Sequence, residues 1–322
     1  MEVRAAALFL GVFLDFLIGD PHWLYHPVRL IGSAISFLEK GLRAILPKSE
    51  GGERLGGIIL ILLIGSLSFC IPFFLLKLCY GWNQATGFLL ESFFCYQMVA
   101  AKSLKDESMK VFEELQKGSI PGARKAVSMI VGRDTKELTK KGIIKAAVET
   151  VAENTSDGVV APLFYMALGG APLLFLYKGI NTMDSMVGYR SDTYLNFGRY
   201  PAKLDDLANF LPARISAWLM IAACFFTKDD ASMAKRIYRR DKRNHKSPNA
   251  AHTEAVTAGA LHIQLAGNAC YFGKLYEKPT IGDDLREPEP EDIKRANGLM
   301  YGCSLLAAAV FGVVLIILGL KF

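Results

Sequence analysis

Two stretches of the 322-residue chain run without a charge for long enough to cross a bilayer: Gly56–Leu76 over 21 residues and Gly298–Leu320 over 23. A helical span needs about 20. A third stretch, Gly158–Tyr177, is uncharged over 20 residues but carries Gly169-Gly170-Ala171-Pro172 at its middle. That interruption predicts two short helices in a re-entrant hairpin around 158–178, which is tolerated only where protein or a water-filled cavity surrounds the break. Other apolar runs are compromised. Ala5–Gly19 is short and holds Asp15, Leu78–Ala101 is broken by Trp82-Asn83-Gln84 and Glu91, and Ile215–Thr227 has only 13 residues. Lys136–Ala152 places Leu138, Ile143, Ile144, Ala147, Val148 and Val151 at helical spacing and has no strand-like alternation. The pattern predicts an all-α, polytopic helical membrane protein forming a single domain over 1–322, with polar segments at 102–156, 179–213 and 228–296.

Composition agrees. With 52 % hydrophobic and 21 % charged residues and a mean hydropathy of +0.26, the chain is too apolar for an ordinary soluble domain or for disorder. Thirty-seven basic against 31 acidic residues leave +6, enough to meet anionic lipid or an anionic ligand without invoking nucleic acid, which is not expected as a partner. Segments 102–156 and 228–296 carry 11 and 13 Lys or Arg, which marks them as cytoplasmic. These features predict a multi-pass protein of the cell membrane with its site facing the cytoplasm. The six cysteines, Cys70, Cys79, Cys95, Cys224, Cys270 and Cys303, form no CxxC or Cys/His cluster, so neither a disulfide framework nor a zinc site is indicated. Met1–Gly19 lacks a small-residue cleavage site, and the first apolar run is expected to be retained.

Polar motifs stand out in so apolar a chain. Asp15 lies within an apolar run, where an ionised carboxylate needs a partner or a polar cavity; Gly19-Asp20-Pro21 and His26-Pro27-Val28-Arg29 come after it. Glu149 and Glu153 are four apart, share a helix face and repel unless something positive lies between them. With Asn154 and Asp157 they offer oxygen ligands suited to Mg²⁺ holding phosphates. The same residues also read as a solvated acidic helix end with Ser156 or Asp157 capping the next helix. Asp184, Ser185, Tyr189 and Arg190 come next, then Arg199, Lys203 and Asp205-Asp206. The arginines could hold phosphate bidentately and Lys203 as a point charge; equally, these residues could snorkel beside an aromatic belt of Tyr189, Tyr194 and Tyr200. Seven basic residues within 235–246 form a patch for phosphate or anionic lipid. Ser247-Pro248-Asn249 then opens a small-residue helix containing Glu254, whose free N–H groups could receive an anion. No GxxxxGK[ST], GxSxG or HExxH sequence is present.

Taken together, Asp15-xxx-Gly-Asp-Pro, His26-Pro-Val-Arg29, Ile130-Val-Gly-Arg-Asp-Thr135, Glu149-Thr-Val-Ala-Glu-Asn-Thr-Ser-Asp-Gly158, Asn181-Thr-Met-Asp-Ser-Met-Val-Gly-Tyr-Arg190, Lys203-Leu-Asp-Asp-Leu-Ala-Asn209 and Ser247-Pro-Asn249 resemble the signature blocks of the CobD/CbiB family, in unchanged order. The last block departs from the family pattern, with Lys246 where Pro is expected and Ala251-His252-Thr253 downstream. The resemblance implies a membrane-bound adenosylcobinamide-phosphate synthase of cobalamin biosynthesis. Such an enzyme joins a propionate of adenosylcobyric acid, a corrinoid, to aminopropanol phosphate or ethanolamine phosphate. Amide formation from a carboxylate is uphill in water, which implies ATP and Mg²⁺ acting through an acyl phosphate. On that reading Glu149, Glu153, Asp157 and Asp184 hold the metal. Asn154, Ser185, Tyr189, Arg199, Lys203, Ser247 and Asn249 bind substrate or phosphate. Glu153, Asp184 and Arg190 serve the chemistry, and His26 or Glu254 takes the proton of the attacking ammonium. The bilayer and other cobalamin-pathway enzymes are the expected partners.

Two rival readings use the same features. A secondary transporter would place Asp15, Glu91 and the Gly-Gly-Ala-Pro break around a midplane ion or substrate site. A scaffold would use the basic surface at 235–246 and need no carboxylates.

Overall fold

A computed structural model describes residues 2–21, 23–189, 193–271 and 274–319. Among them, four helical stretches are long and apolar enough to cross a membrane: Glu50–Trp82, Lys140–Val187, Phe210–Thr227 and Glu291–Gly319. Their outward faces carry Leu62, Phe74, Leu78, Phe225, Phe226, Val313 and Ile317, all exposed. Such faces are stable against lipid chains and unfavourable against water. The chain, read as one domain from its sequence, packs as two compact units interleaved along it: residues 1–99, 161–209 and 308–322 form the first, and 100–160 and 210–307 the second.

Unit one contains α1 (Glu2–Ile18), α2 (Pro27–Ile45), α3 (Glu50–Trp82) and α4 (Gln84–Met98). Local chemistry sets their ends. The His26 ring accepts from Val28 N with Pro27 opening α2, the Ser49 hydroxyl accepts from Gly52 N, and Asn83 both stops α3 and caps α4 by accepting from Ala85 N. The interrupted run at Leu78–Ala101 is therefore two helices meeting at Asn83. Glu91, deep in α4 and 4 % exposed, accepts from Tyr80 Oη at 2.6 Å and lies 3.6 Å from Arg4 Nε. A buried carboxylate so partnered needs no transported ion to explain it.

Before α8, the chain makes a π-helical turn, Thr155–Val160, at the end of unit two's α7 (Lys140–Asn154). α8 (Ala161–Val187) is broken at Gly169 and Gly170, the latter at φ +70°, ψ −165°. The Tyr165 and Tyr177 rings stack with centroids 4.9 Å apart. Twelve residues of unbroken helix would separate them by about 18 Å, so the two arms fold back side by side, as the Gly-Gly-Ala-Pro sequence predicts. Tyr165 and Tyr177 anchor this hairpin through Ala208 O and Asn209 Oδ1, both at 2.9 Å, at the end of α9 (Arg199–Ala208). α3 packs against the second arm and against Phe197 with no room to spare. A Cβ on Gly57 would stand 2.1 Å from Phe197 O.

Unit two holds α5 (Ala101–Gln116), α6 (Ile120–Ser128), α7, α10 (Phe210–Thr227), α11 (Ala231–Asp241), α12 (Ala250–Leu261) and the first part of α13 (Glu291–Gly319). Thr139 caps α7 by accepting from Gly142 N and Asp230 caps α11 through Met233 N. All twelve residues of α12 are buried. Its small side chains permit this: a Cβ on Gly259 would lie 2.5 Å from Met233 O of α11. Beyond α12 the chain departs from the pure helix and loop that its sequence pattern predicts. β1 (Leu265–Ala266) pairs antiparallel with β4 (Thr280–Ile281), and β2 (Ala269–Tyr271) with β3 (Lys274–Tyr276). These strands are too short to show period-two alternation. They are held from outside, since Asp241 Oδ2 accepts from Gly282 N at 2.8 Å.

The close approach at Gly57 gives a direct test. Gly57→Ala should lower the detergent-solubilised protein's stability by about 1–3 kcal/mol through overpacking. Gly51→Ala, at a position where a Cβ meets nothing within 4 Å, should leave it unchanged or raise it. Thermal unfolding of both variants checks the pair.

Candidate active site

Unit two contains a half-open cavity of about 140 Å³ lined by Ile130–Arg133, Ala146, Glu149, Thr150, Glu153, Asn154, His245, Glu254, Ala266, Gly267 and Lys278. Glu149 and Glu153 come from adjacent turns of α7, Glu254 from α12, and the cations from loops. Glu149 fixes the walls: its Oε2 pairs with Arg133 Nη2 at 2.9 Å, and its Oε1 accepts from Ala266 N at 2.8 Å. Ala266 takes the left-handed conformation, at φ +56°. A non-glycine residue is strained there, and the hydrogen bond to Glu149 helps to hold it.

Glu254 is 5 % exposed, and its Oε2 has no hydrogen-bond partner among the described residues. Burial, then Glu149 and Glu153, raise its affinity for a proton well above the usual carboxylate range; Lys278 and Arg133 oppose this. The His245 Nδ1 accepts from Ser247 N at 3.0 Å. Burial first, then Lys278, lowers the His245 pKa to about 4, so the ring is neutral at physiological pH. Asn154 lines the cavity and donates from Nδ2 to Thr150 O at 3.0 Å.

The other residues singled out in the sequence fall elsewhere. Asp157 sits in the π-helical turn outside the cavity lining, and Asp184 belongs to unit one. Among the described residues, no three His, Cys, Asp or Glu side chains stand where they could hold one metal ion together. The set Glu149, Glu153, Asp157 and Asp184 is thus not gathered. Mg²⁺ does not require such a cage, because it commonly takes one or two carboxylates plus phosphate oxygens and water. Glu153 in the lining fits that need; Glu149, committed to Arg133 and Ala266, does not. Ser247 and Asn249 build the turn ahead of α12: Asn249 N donates to Ser247 Oγ at 3.2 Å, and Asn249 Oδ1 accepts from Arg214 Nη1 at 3.2 Å.

In unit one, a second cavity of about 420 Å³ is lined by Arg54, Tyr189, Arg199, Lys203 and Asp206, among others. Arg54 is tied to Glu50 and Asn196. Asp205 on α9 accepts from Asn181 and Asn209, and burial, with Asp184 next, pushes its pKa up to about 7. Ser185 is exposed and donates to Asn181 O. His26, the helix cap, has its Nε2 3.7 Å from Asp20 Oδ1 and belongs to unit one. Arg190 lies outside the described residues.

Sequence reading missed Arg133, His245 and Lys278 as members of one site. Arg133 stood in the Ile130–Thr135 block and His245 in the basic run, but Lys278 carried no local signal.

A profile of the family described as "CobD/Cbib protein" matches residues 8–300. The chain belongs to the CobD/CbiB family. It is 43 % identical over 303 residues to the "Cobalamin biosynthesis protein CobD" of Clostridium perfringens, covering 94 % of this chain and 95 % of that one. It is 43 % identical over 306 residues to the protein of the same name from Yersinia enterocolitica, covering 95 % and 96 %. The Klebsiella pneumoniae protein of that name is 44 % identical over 299 residues, 92 % and 93 % of the two chains. No solved structure matches. The family match takes in both units and every wall of the unit-two cavity.

The state of Glu254 makes a checkable difference. The folded protein binds a proton there more tightly than the unfolded chain, whose carboxyl titrates near 4.5. Stability therefore falls as pH rises from that value through the higher folded-state pKa. Without divalent cations, Glu254→Gln should be more heat-stable than the wild type at about pH 8 and no more stable at about pH 4, read by thermal unfolding in detergent.

Proposed function

We propose that this protein is a membrane-embedded enzyme of cobalamin biosynthesis. In this reading it uses ATP and Mg²⁺ to join a propionate of adenosylcobyric acid to aminopropanol phosphate or ethanolamine phosphate, yielding adenosylcobinamide phosphate. The observation that carries the reading is the unit-two cavity, where three glutamates face Arg133 and Lys278 beside an unpartnered, buried carboxylate oxygen. The names borne by the curated relatives support the pathway.

The cavity matches an amino alcohol phosphate end for end. Its carboxylates receive an ammonium and its cations a phosphate, each gaining charge-assisted hydrogen bonds. The space holds about five waters' worth of volume, suited to this small reactant or to the reacting arm of the corrinoid, not to a whole corrinoid.

Amide formation needs a free amine, so the ammonium must lose a proton. Of the two proton acceptors expected from the sequence, Glu254 stands in this cavity, and its raised proton affinity brings it towards that of an amine. Glu153 is the residue that would hold Mg²⁺, which leaves Glu254 to take the proton. Mg²⁺ bound with ATP would neutralise charge on the phosphates while the γ-phosphoryl group passes to the propionate, releasing ADP, so that phosphate can leave when the amine attacks. Arg133, held by Glu149, stabilises negative charge developing at the carboxylate under attack. The unit-one cavity, with Arg199 and Lys203 in its lining, offers a second anion subsite on the same principle. The cytoplasmic face of the cell membrane is the expected location, since the basic segments 102–156 and 228–296 carry the cavity.

Purified protein in detergent, given adenosylcobyric acid, either amino alcohol phosphate, Mg²⁺ and ATP, should form a corrinoid amide seen by mass spectrometry, and none without ATP. Glu153→Gln should lower kcat by about a hundredfold or more while the protein still purifies from the membrane. No amide from the wild type with either phosphate would overturn the reading, and an unimpaired Glu153→Gln would remove that residue from the site.

A further inference from the structure

We propose that His245 serves the unit-two cavity as a fixed hydrogen-bond donor, presenting Nε2–H to a phosphate oxygen of the small amine substrate. This rests on the ligase reading for the identity of the substrate, but the donor assignment comes from the turn that carries the ring.

The ring has two nitrogens, and the chain has already committed one. Ser247 N donates to Nδ1 at 3.0 Å within the Asn244–Asn249 turn. A backbone N–H can only donate, so Nδ1 must be the bare, accepting nitrogen, and in a neutral ring the proton resides on Nε2. Nε2 takes no part in the turn, and His245 lines the cavity. Lys278, also in the lining, carries three donors and no acceptor, so it adds a second donor for the same ligand. The environment keeps the ring neutral, through burial, Lys278 and Lys246.

A lysine ammonium and an imidazole N–H side by side present donors only. Whatever binds them must accept more than once and carry negative charge, which fits a phosphate monoester and not the ammonium end of the same molecule. The carboxylates of Glu153 and Glu254 take the opposite pole. His245 thereby sets the direction in which a zwitterionic reactant lies, amine toward the glutamates. Such a neutral donor adds direction without adding the repulsion that a second full charge would bring beside Lys278.

The test uses the geometry of amide side chains. Glutamine places an NH₂ near the position of Nε2, whereas asparagine places its amide near Nδ1 and can only replace the acceptor of the turn. The full-length protein in detergent is assayed as wild type, His245→Gln, His245→Asn and His245→Ala, for amide formation and for thermal stabilisation by ethanolamine phosphate in the absence of ATP. Removing a hydrogen bond to a charged oxygen weakens binding by about tenfold to a hundredfold. The KM for the amino alcohol phosphate should rise by that factor in Ala and Asn and by much less in Gln, with the thermal shift lost in the first two and kept in the third. Unphosphorylated ethanolamine should react equally poorly in all four. Rescue by Asn and not Gln would show that His245 only caps the turn, and equal KM values in all four proteins would show that it does not touch the phosphate; either result overturns the inference. Thermal stabilisation that matches the expected pattern in a protein that forms no amide would sink the ligase reading and leave the donor role standing.

Discussion

The unit-two cavity depends on one carboxylate, Glu149. Through Oε2 it holds Arg133 and through Oε1 it holds the Ala266 amide, so a single side chain on α7 fixes the 130–133 loop and the β1 end of the strand pair. Ala266 lies 117 residues away in sequence, so the contact joins α7 to a distant segment. The bonds are charge-assisted and shielded from water, where they are stronger than the same contacts on a surface. Without them Ala266 would have less reason to keep its left-handed backbone, and the wall bearing Gly267 would be free to relax.

Against that satisfied carboxylate stands an unsatisfied one. Glu254 emerges from a helix buried on every side, and a hydrogen-bonded partner is missing for Oε2 among the described residues. Burying an unpaired polar group is unfavourable by a few kcal/mol, and protonation relieves part of that penalty. Strain and unsatisfied groups concentrate where ligands bind. Glu149 builds the frame, Glu254 stands within the same cavity, and Glu153 lies one turn along α7 from Glu149. Unit one is organised differently: Glu91 and Asp205 are buried there too, but each has partners of its own.

Much of the fold was legible because it rests on local rules. The charge-free runs became α3 and α13, the Trp82-Asn83-Gln84 break became a helix end capped by Asn83, and Gly169-Gly170-Ala171-Pro172 became the turn of a hairpin, confirmed by the stacked Tyr165 and Tyr177 rings. The strand pairs were invisible, since two- and three-residue strands leave no periodic trace and are held by contacts from α11. The pairing of Glu149 and Glu153 on one face was also readable from spacing, whereas Asp157 was carried off that face by the π-helical turn, whose extra residue per turn no local composition announced.

The sequence by itself determined that the chain is helical, membrane-borne and rich in carboxylates placed where charge is unfavourable, and its ordered motif blocks determined the family. Those properties come from hydrophobicity and helical period, which act over a few residues. Only the tertiary structure decided which charges share a cavity. It brought Arg133, His245, Glu254 and Lys278 to the Glu149–Glu153 face, put Asp184 with Asp205 in the other unit, and made His26 a helix cap. Electrostatic partnership depends on distances of a few ångströms between residues far apart along the chain, and no local pattern encodes such distances.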